Sequence, residues 1–432
     1  MIAALVTLIV VSVTPAEVAL ASADRARVEP DHSLHGQIVY FSTSHLEGEQ
    51  RAACESALLF MVASASQQQV LERCTPSKIS ETLYRVDLRN VQWKWHHFFH
   101  VVKDHSYYGA SQYLYRADQF IVDIGDTTEG DGYYRLLLDN ANPSRDDYLK
   151  LHGTNNDATF HFGIITRSKS AIGPAVSGLR LVQNMPTNTR GSMWGTRDSA
   201  KIDDKSDPLE HPENDFEHQA EEWIGMLPKV SLTTGDRAAL MTFFLSDAKG
   251  KRQEEAPPNI VTDHLGFRGQ SAIRNVGSCI GCHATGYLPP GDSELRQLIG
   301  NGLDLYATPK ERAEKIERFH LSDAGKQLAR DNEDILQGIR LVNGLSGEEN
   351  AEAFRAVFDY YDADLDLERC ALETHATGKD LASAIAYSNA KGINLGARVP
   401  ALVHGGQISR ASWEQSGYLK AALALDYWRR SK

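Results

Sequence analysis

Apolar residues recur at helical spacing from Arg51 to Glu72, in a segment rich in Ala, Leu, Gln and Glu. The spacing predicts a helix there, broken by Thr75-Pro76-Ser77. Leu83-Tyr84-Arg85-Val86-Asp87-Leu88 alternates apolar and polar positions, the pattern of a half-buried strand. An aromatic-dense segment runs from Trp93 to Tyr115, followed by Gln119 to Ile124. From Gly153 to Asp215 the pattern is lost. Asn155-Asn156-Asp157 and the polar run from Asp198, with Pro208 and Pro212, predict loops. Two strands are expected around Trp223 to Leu227 and Ala238 to Leu245, the second closed by an Asp247-Ala248-Lys249-Gly250 turn.

The character changes near the C-terminus. Thr308 to Val342, Glu348 to Asp359 and Ala411 to Arg430 are rich in Glu, Lys, Arg, Ala and Leu, with little Gly or Pro, and read as helices. At 432 residues the chain is long enough for two domains. The pattern predicts an α+β protein: a mixed α/β N-terminal domain over 24–255, then a mostly helical domain over 256–432.

Met1 to Val13 is apolar except for Thr7 and Ser12, and Ala19-Leu20-Ala21-Ser22-Ala23 follows. This reads as a signal peptide over 1–23, cut after Ala21 or Ala23, although no Lys or Arg precedes the apolar run. About twelve apolar residues fall short of the roughly 20 needed to span a bilayer. A mature chain without a membrane span, in the periplasm or secreted, is the expectation.

The net charge of −12 argues against a nucleic-acid partner, because a phosphate backbone would be repelled. It would suit a basic redox partner protein. Of the five cysteines, Cys54 and Cys74 sit on either side of the first predicted helix, and either a disulfide or two buried thiols is compatible with that placement. Cys370 is left over.

Cys279-Ile280-Gly281-Cys282-His283 is the C-x-x-C-H pattern of covalent haem attachment. Two thiols three residues apart on one helical turn face the same way, so each can add to a haem vinyl group. The adjacent His then reaches the iron. A structural zinc site would need a second pair of ligands, and Cys370, His264 and His320 have no close companions. A thioredoxin-like pair would need a βαβ context and has no use for the His. One motif predicts one covalently bound haem c, held by Cys279, Cys282 and His283.

The second axial position decides what such a haem does. Met226, beside the turn-forming Pro228, is the preferred sixth ligand, with His218 and His264 behind it. Any one Met is also ordinary core material. His96, His97, His100 and His105 form a dense cluster, but their aromatic neighbours favour a packed or surface cluster over a second metal site.

Matches in order along the chain carry a resemblance. Val39-Tyr40-Phe41-Ser42-Thr43-Ser44-His45-Leu46, then Leu83 to Arg89 with Trp93, then Tyr115-Arg116-Ala117-Asp118-Gln119-Phe120 look like successive segments of one family. Leu227-Pro228, Pro257 through Asp263, the Asn275 and Ser278 lead into Cys279, and Gly406 to Glu414 continue the series. The chain resembles a family of exported bacterial proteins, common in planctomycete-type genomes and described as cytochrome c domain proteins. It departs where the family has G-G-E and L-P-N-G-L-Q: here stand Gln219-Ala220-Glu221-Glu222 and Leu227-Pro228-Lys229-Val230-Ser231-Leu232. Gln119 replaces a Trp. The resemblance implies one c-type haem and an extracytoplasmic home, and supplies no activity. Electron transfer is the leading expectation. A haem oxidoreductase with an open distal site, acting on peroxide or a small nitrogen compound, and a haem-based sensor or binding module are the alternatives.

Overall fold

A computed structural model gives the fold, describing residues 15–28, 37–103, 113–128, 130–154, 162–167, 179–187, 191–199, 205–206, 217–288 and 325–432. Two sheets organise it. The first contains β1 (Ile38–Ser42), β2 (Ser77–Lys78), β3 (Leu83–Asp87) and β4 (Leu114–Arg116), in the order β2-β3-β1-β4. Strand β1 is antiparallel to β3 and parallel to β4. All five β1 residues are buried, and they feed two cores: Val39 and Phe41 one, Ile38 and Tyr40 the other. A strand covered on both faces has to be apolar nearly throughout, which explains the run Ile-Val-Tyr-Phe.

Helix α1 (Pro15–Val28) lies against β1. After it come α2 (Gly48–Ser64), α3 (Trp95–Val102), α4 (Ala117–Gly125), α5 (Gly132–Leu138) and α6 (Arg145–Leu151). The first predicted helix thus ends at Ser64, short of Glu72. Beyond it the chain turns so that Ser66 Oγ donates to Val91 O, and a single helical turn, Leu71–Cys74, completes the segment.

The second sheet is an antiparallel meander of β5 (Phe162–Arg167), β6 (Leu179–Pro186), β7 (Ser192–Asp198), β8 (Ala220–Val230) and β9 (Arg237–Asp247). Three of these strands come from the stretch expected to be loops. Their buried positions include Gln183, Asn184, Thr196, Arg197 and Asp198, so the alternation of hydrophobicity is erased. One charged pair is matched across the ladder: Arg180 and Asp198 face each other in register and form a two-pronged ion pair at 2.8 and 2.9 Å. Strands β8 and β9 appear where expected, extended at both ends.

Helices α7 (Gly277–Cys282), α8 (Gly325–Asn343), α9 (Gly347–Asp362), α10 (Leu367–Glu373), α11 (Gly378–Ala390) and α12 (Tyr418–Ser431) complete the described elements used below. A capping box of Ser346 and Glu349 starts α9. Helix α8 rests on β9 so closely that a Cβ on Gly338 would come within 2.1 Å of Ala239 O. The part of the Thr308 to Val342 prediction before residue 325 lies outside the described residues.

Hydrophobic packing crosses the division expected at 255/256. One hydrophobic core runs from Val39 and Met61 through Trp223 and Phe243 to Cys279, Ile339 and Phe358. A second joins Ala21, Tyr40 and Leu83 to Leu381, Trp413 and Leu425. The N-terminal sheets need helices on their faces, and those helices come from the far end of the chain.

A buried ion network ties the halves together. Arg116, at the end of β4, contacts Asp118 and reaches Glu373 Oε2 at 2.6 Å. Glu373 accepts from Arg410 through both oxygens at 2.8 and 2.9 Å and from Trp413 Nε1 at 2.7 Å, while His45 Nε2 stands 2.9 Å from Asp118. Burial pushes the Glu373 carboxyl up, but Arg116 and Arg410 outweigh it and hold it at about 2.

Two further expectations meet the structure here. Cys54, Cys74 and Cys370 are separate buried thiols, with no bridge between Cys54 and Cys74. The cleavage positions after Ala21 and Ala23 fall inside α1. Ala21 is buried, Glu17 accepts from the hydroxyls of Ser42, Ser44 and Thr82, and Asp24 accepts from Tyr40 and Arg85. The structure therefore builds residues 17–28 into the fold. Among the described residues no helix is long and apolar enough to cross a membrane.

Candidate functional site

The C-x-x-C-H residues occupy the short helix α7 and the residue after it. Asp263 organises the approach, accepting from Ser278 Oγ at 2.6 Å and from the backbone of Leu265, Gly266 and Phe267. Asn275 donates to Tyr134 Oη at 2.6 Å and to Gln253 O at 3.1 Å. Val276, next to Asn275, has φ 68° and ψ −62°, a γ-turn costly for a β-branched residue and closed by Gly277 N–H donating to Asn275 O at 2.9 Å. Here full burial of Val276 helps hold the strained turn.

Helix α7 brings Cys279 and Cys282 onto one turn, Cys279 buried and Cys282 partly exposed. Burial pushes both thiols up, Cys282 to about 12, with Asp263 and Glu222 adding to the effect there. His283 caps the helix, its backbone N–H bonded to Cys279 O at 2.9 Å. Its Nδ1 lies 3.2 Å from Gly286 O, so the Nδ1–H tautomer donates there and leaves Nε2 with its lone pair free. Burial lowers the His283 pKa and favours that neutral ring.

Gly286 has to be glycine. Its φ is 95°, and a Cβ would lie 2.4 Å from Asn332 Oδ1. Asn332, on α8, brackets the next residue by accepting from Tyr287 N at 2.7 Å and donating to Tyr287 O at 2.9 Å. Tyr287 Oη then donates to Ser192 O at 3.0 Å on β7 and sits 3.3 Å from Ile224 O on β8. The carbonyl that orients His283 is thus fixed to both a helix and the second sheet.

The face of β8 and β9 opposite the motif presents Glu222, Ile224, Phe243 and Leu245, paired in register. Glu222 Oε1 stands 3.8 Å from His283 Nε2 and 4.0 Å from Cys279 Sγ, and the Phe243 ring lies 6.1 Å from that of His283. Arg180, paired with Asp198, is close enough to act on the charge of both His283 and Glu222. Among the described residues, Glu222 is the carboxylate beside His283 Nε2.

A zinc ion and a larger prosthetic group make different demands on these residues. A preformed zinc site is disfavoured, since the described residues bring only one set of His, Cys, Asp or Glu ligand atoms within 4.8 Å of one another, and it lies elsewhere. The spread of Cys279, Cys282 and His283 suits a larger group gripped at its edge and centre, and the His283 tautomer suits an axial ligand. The cavity beside Glu222, lined by Arg180, Asp198, Leu245, Gln253 and Val261, holds about 30 Å³. That is room for a water or two and not for a macrocycle. The described residues therefore match the attachment and axial positions and do not by themselves form the walls of a haem pocket.

Met226, the expected sixth ligand, is buried in the core, its Sδ where a Cβ on Gly191 would come within 2.9 Å. It lies four residues beyond Glu222 on β8, about 13 Å along the strand. The group beside His283 is Glu222 in its place. His218 Nε2 is turned to Glu221 Oε1 at 2.8 Å, and His264 is exposed. The sequence marked Glu222 only as part of a departure from the family pattern. Arg180 sat in presumed loop, and Gly286 carried no signal beyond following a motif.

No family model, no curated protein and no solved structure matches this chain.

Proposed function

We propose that the chain is an exported c-type cytochrome, holding one haem through thioethers to Cys279 and Cys282 with His283 as axial ligand, and that it transfers single electrons. The observation that carries the reading is the hydrogen bond between His283 Nδ1 and Gly286 O, which leaves Nε2 unprotonated one residue after two thiols on the same helical turn. Haem, when bound, supplies a one-electron couple. The chain's own part is to orient His283 through Gly286, Tyr287 and Asn332, to bury Cys279, and to place the Glu222 carboxylate beside Nε2. An extracytoplasmic home and a basic redox partner follow from the same reading and the net charge of −12.

One observation favours a second reading. Glu222 and Arg180 place a carboxylate and a guanidinium beside the motif, groups suited to moving a proton or polarising a bound small molecule. A haem oxidoreductase with an accessible distal side would use them.

An optical spectrum of the purified protein separates the readings. Low-spin reduced bands that carbon monoxide leaves unmoved support electron transfer. A high-spin ferric spectrum with ready carbon monoxide binding supports the oxidoreductase. Absence of haem bands in protein made alongside haem-attachment machinery overturns both.

A further inference from the structure

The dense His segment converges on a carboxylate from another element. His96 and His97, in the first turn of α3, and Asp139, the residue after α5, bring their ligand atoms within 4.8 Å of one another. His97 Nε2 is 2.8 Å from Asp139 Oδ1, and the two imidazole rings are 4.1 Å apart between centroids. The elements that carry them are packed together and anchored from below by the buried Phe98, Leu136 and Leu137. Such a set is held by the scaffold rather than by a loop.

The surroundings of the set bear on what it can hold. His97 is mostly buried and presents Nε2 to Asp139, while its Nδ1 has no hydrogen-bond partner among the described residues. The ammonium of Lys94 lies against the second oxygen of Asp139, marking that carboxylate as a place where positive charge gathers. Arg135 is engaged by Asp131 at 2.5 Å, and His96 is exposed to solvent.

We infer that His96, His97 and Asp139 form a site for a divalent first-row transition ion of the zinc class, with Lys94 as the cation that occupies it when no metal is bound. Two imidazoles and a carboxylate are borderline ligands that suit zinc, cobalt, nickel or copper better than magnesium or calcium. Three protein ligands leave a fourth position for water. The site is separate from Cys279, Cys282 and His283 and stands whether or not haem is bound there.

The test is a cobalt(II) titration of the full-length chain after chelator treatment, followed by its visible spectrum and by metal analysis after dialysis. One ion per chain is expected, with ligand-field bands and no sulfur-to-cobalt charge-transfer band. H96Q alters an exposed residue and spares the fold; it and D139N are each expected to weaken binding at least about tenfold. K94Q is expected to tighten it by removing the competing ammonium. Binding that is unchanged in H96Q and D139N, a sulfur charge-transfer band as the sole signal, or no saturable binding in the wild type would each overturn the assignment.

Discussion

His283 Nε2 and Glu222 Oε1 face each other across 3.8 Å, one on the turn after α7 and the other on the second sheet. The pairing sets a formal negative charge beside the nitrogen proposed to hold iron. A negative charge there stabilises the oxidised form over the reduced one. Glu222→Gln is therefore expected to raise the midpoint potential in a spectroelectrochemical titration. An unmoved potential would separate Glu222 from the haem.

Gly286 and Gly344 make a matched pair for testing how His283 is held. Both have positive φ, but a Cβ at 286 strikes Asn332 while at 344 it meets nothing within 4 Å. Gly344→Ala should cost only the backbone strain, about 1 kcal/mol. Gly286→Ala should add the clash and reach roughly 2–4 kcal/mol in urea denaturation. Equal costs would mean that Asn332 gives way freely and that the Tyr287 bracket is loose.

His152 predicts a pH dependence. It is fully buried, bonded to Thr242 Oγ1 at 3.0 Å, and burial lowers it to about 4. Its folded value lies below the ordinary value near 6.5, so the unfolded chain takes up the proton first. The contribution is fully present above about pH 6.5 and is lost as pH falls toward 4, by about 3 kcal/mol at most. Denaturant midpoints measured between pH 7 and 4 should fall less steeply in His152→Gln than in the wild type. Parallel slopes would show that other groups carry the acid sensitivity.

Removing one member of the Glu373 network strands the others. Glu373→Gln leaves Arg116 and Arg410 buried without their shared carboxylate and should cost about 3–5 kcal/mol. Because both cores draw on both ends of the chain, a fragment spanning 256–432 is expected to give no cooperative melt. A cooperative transition from that fragment would restore the boundary at 255/256.

The packing of α1 predicts where the chain is not cut, and intact-mass analysis of the purified protein can check it. Cutting after Ala21 or Ala23 would remove Glu17 from three hydroxyls and break a helix whose Asp24 pairs with Arg85. The mature mass should include Glu17. A mass that begins at Ser22 or Asp24 would show that α1 does not persist.

What the sequence made legible follows from how locally each feature is encoded. The alternation in β3, the short apolar runs of β8 and β9 and the helical pattern of α9 depend on neighbours in the chain, and they could be read directly. Strands β6 and β7 bury Gln183, Asn184, Arg197 and Asp198, with Asp198 paired to Arg180 and Arg197 beside Glu221 across the sheet, and no local pattern announces that. The attachment motif is a spacing along five residues. Glu222 and Arg180 reach it only through sheet register, and Asp139 reaches His96 and His97 only through the packing of α3 on α5.

Cys279 is 1% exposed and enclosed by the same core as Met61 and Phe243. A thiol in that position has no route to a bulky reactant once the chain has closed. On the proposed haem-bearing reading, thioether formation at Cys279 would come before the last stage of folding, and the finished apoprotein would be a dead end rather than a precursor. Maturation becomes a race between capture by the attachment machinery and collapse of the core. Substitutions that slow collapse would raise the yield of loaded protein even as they lower its final stability.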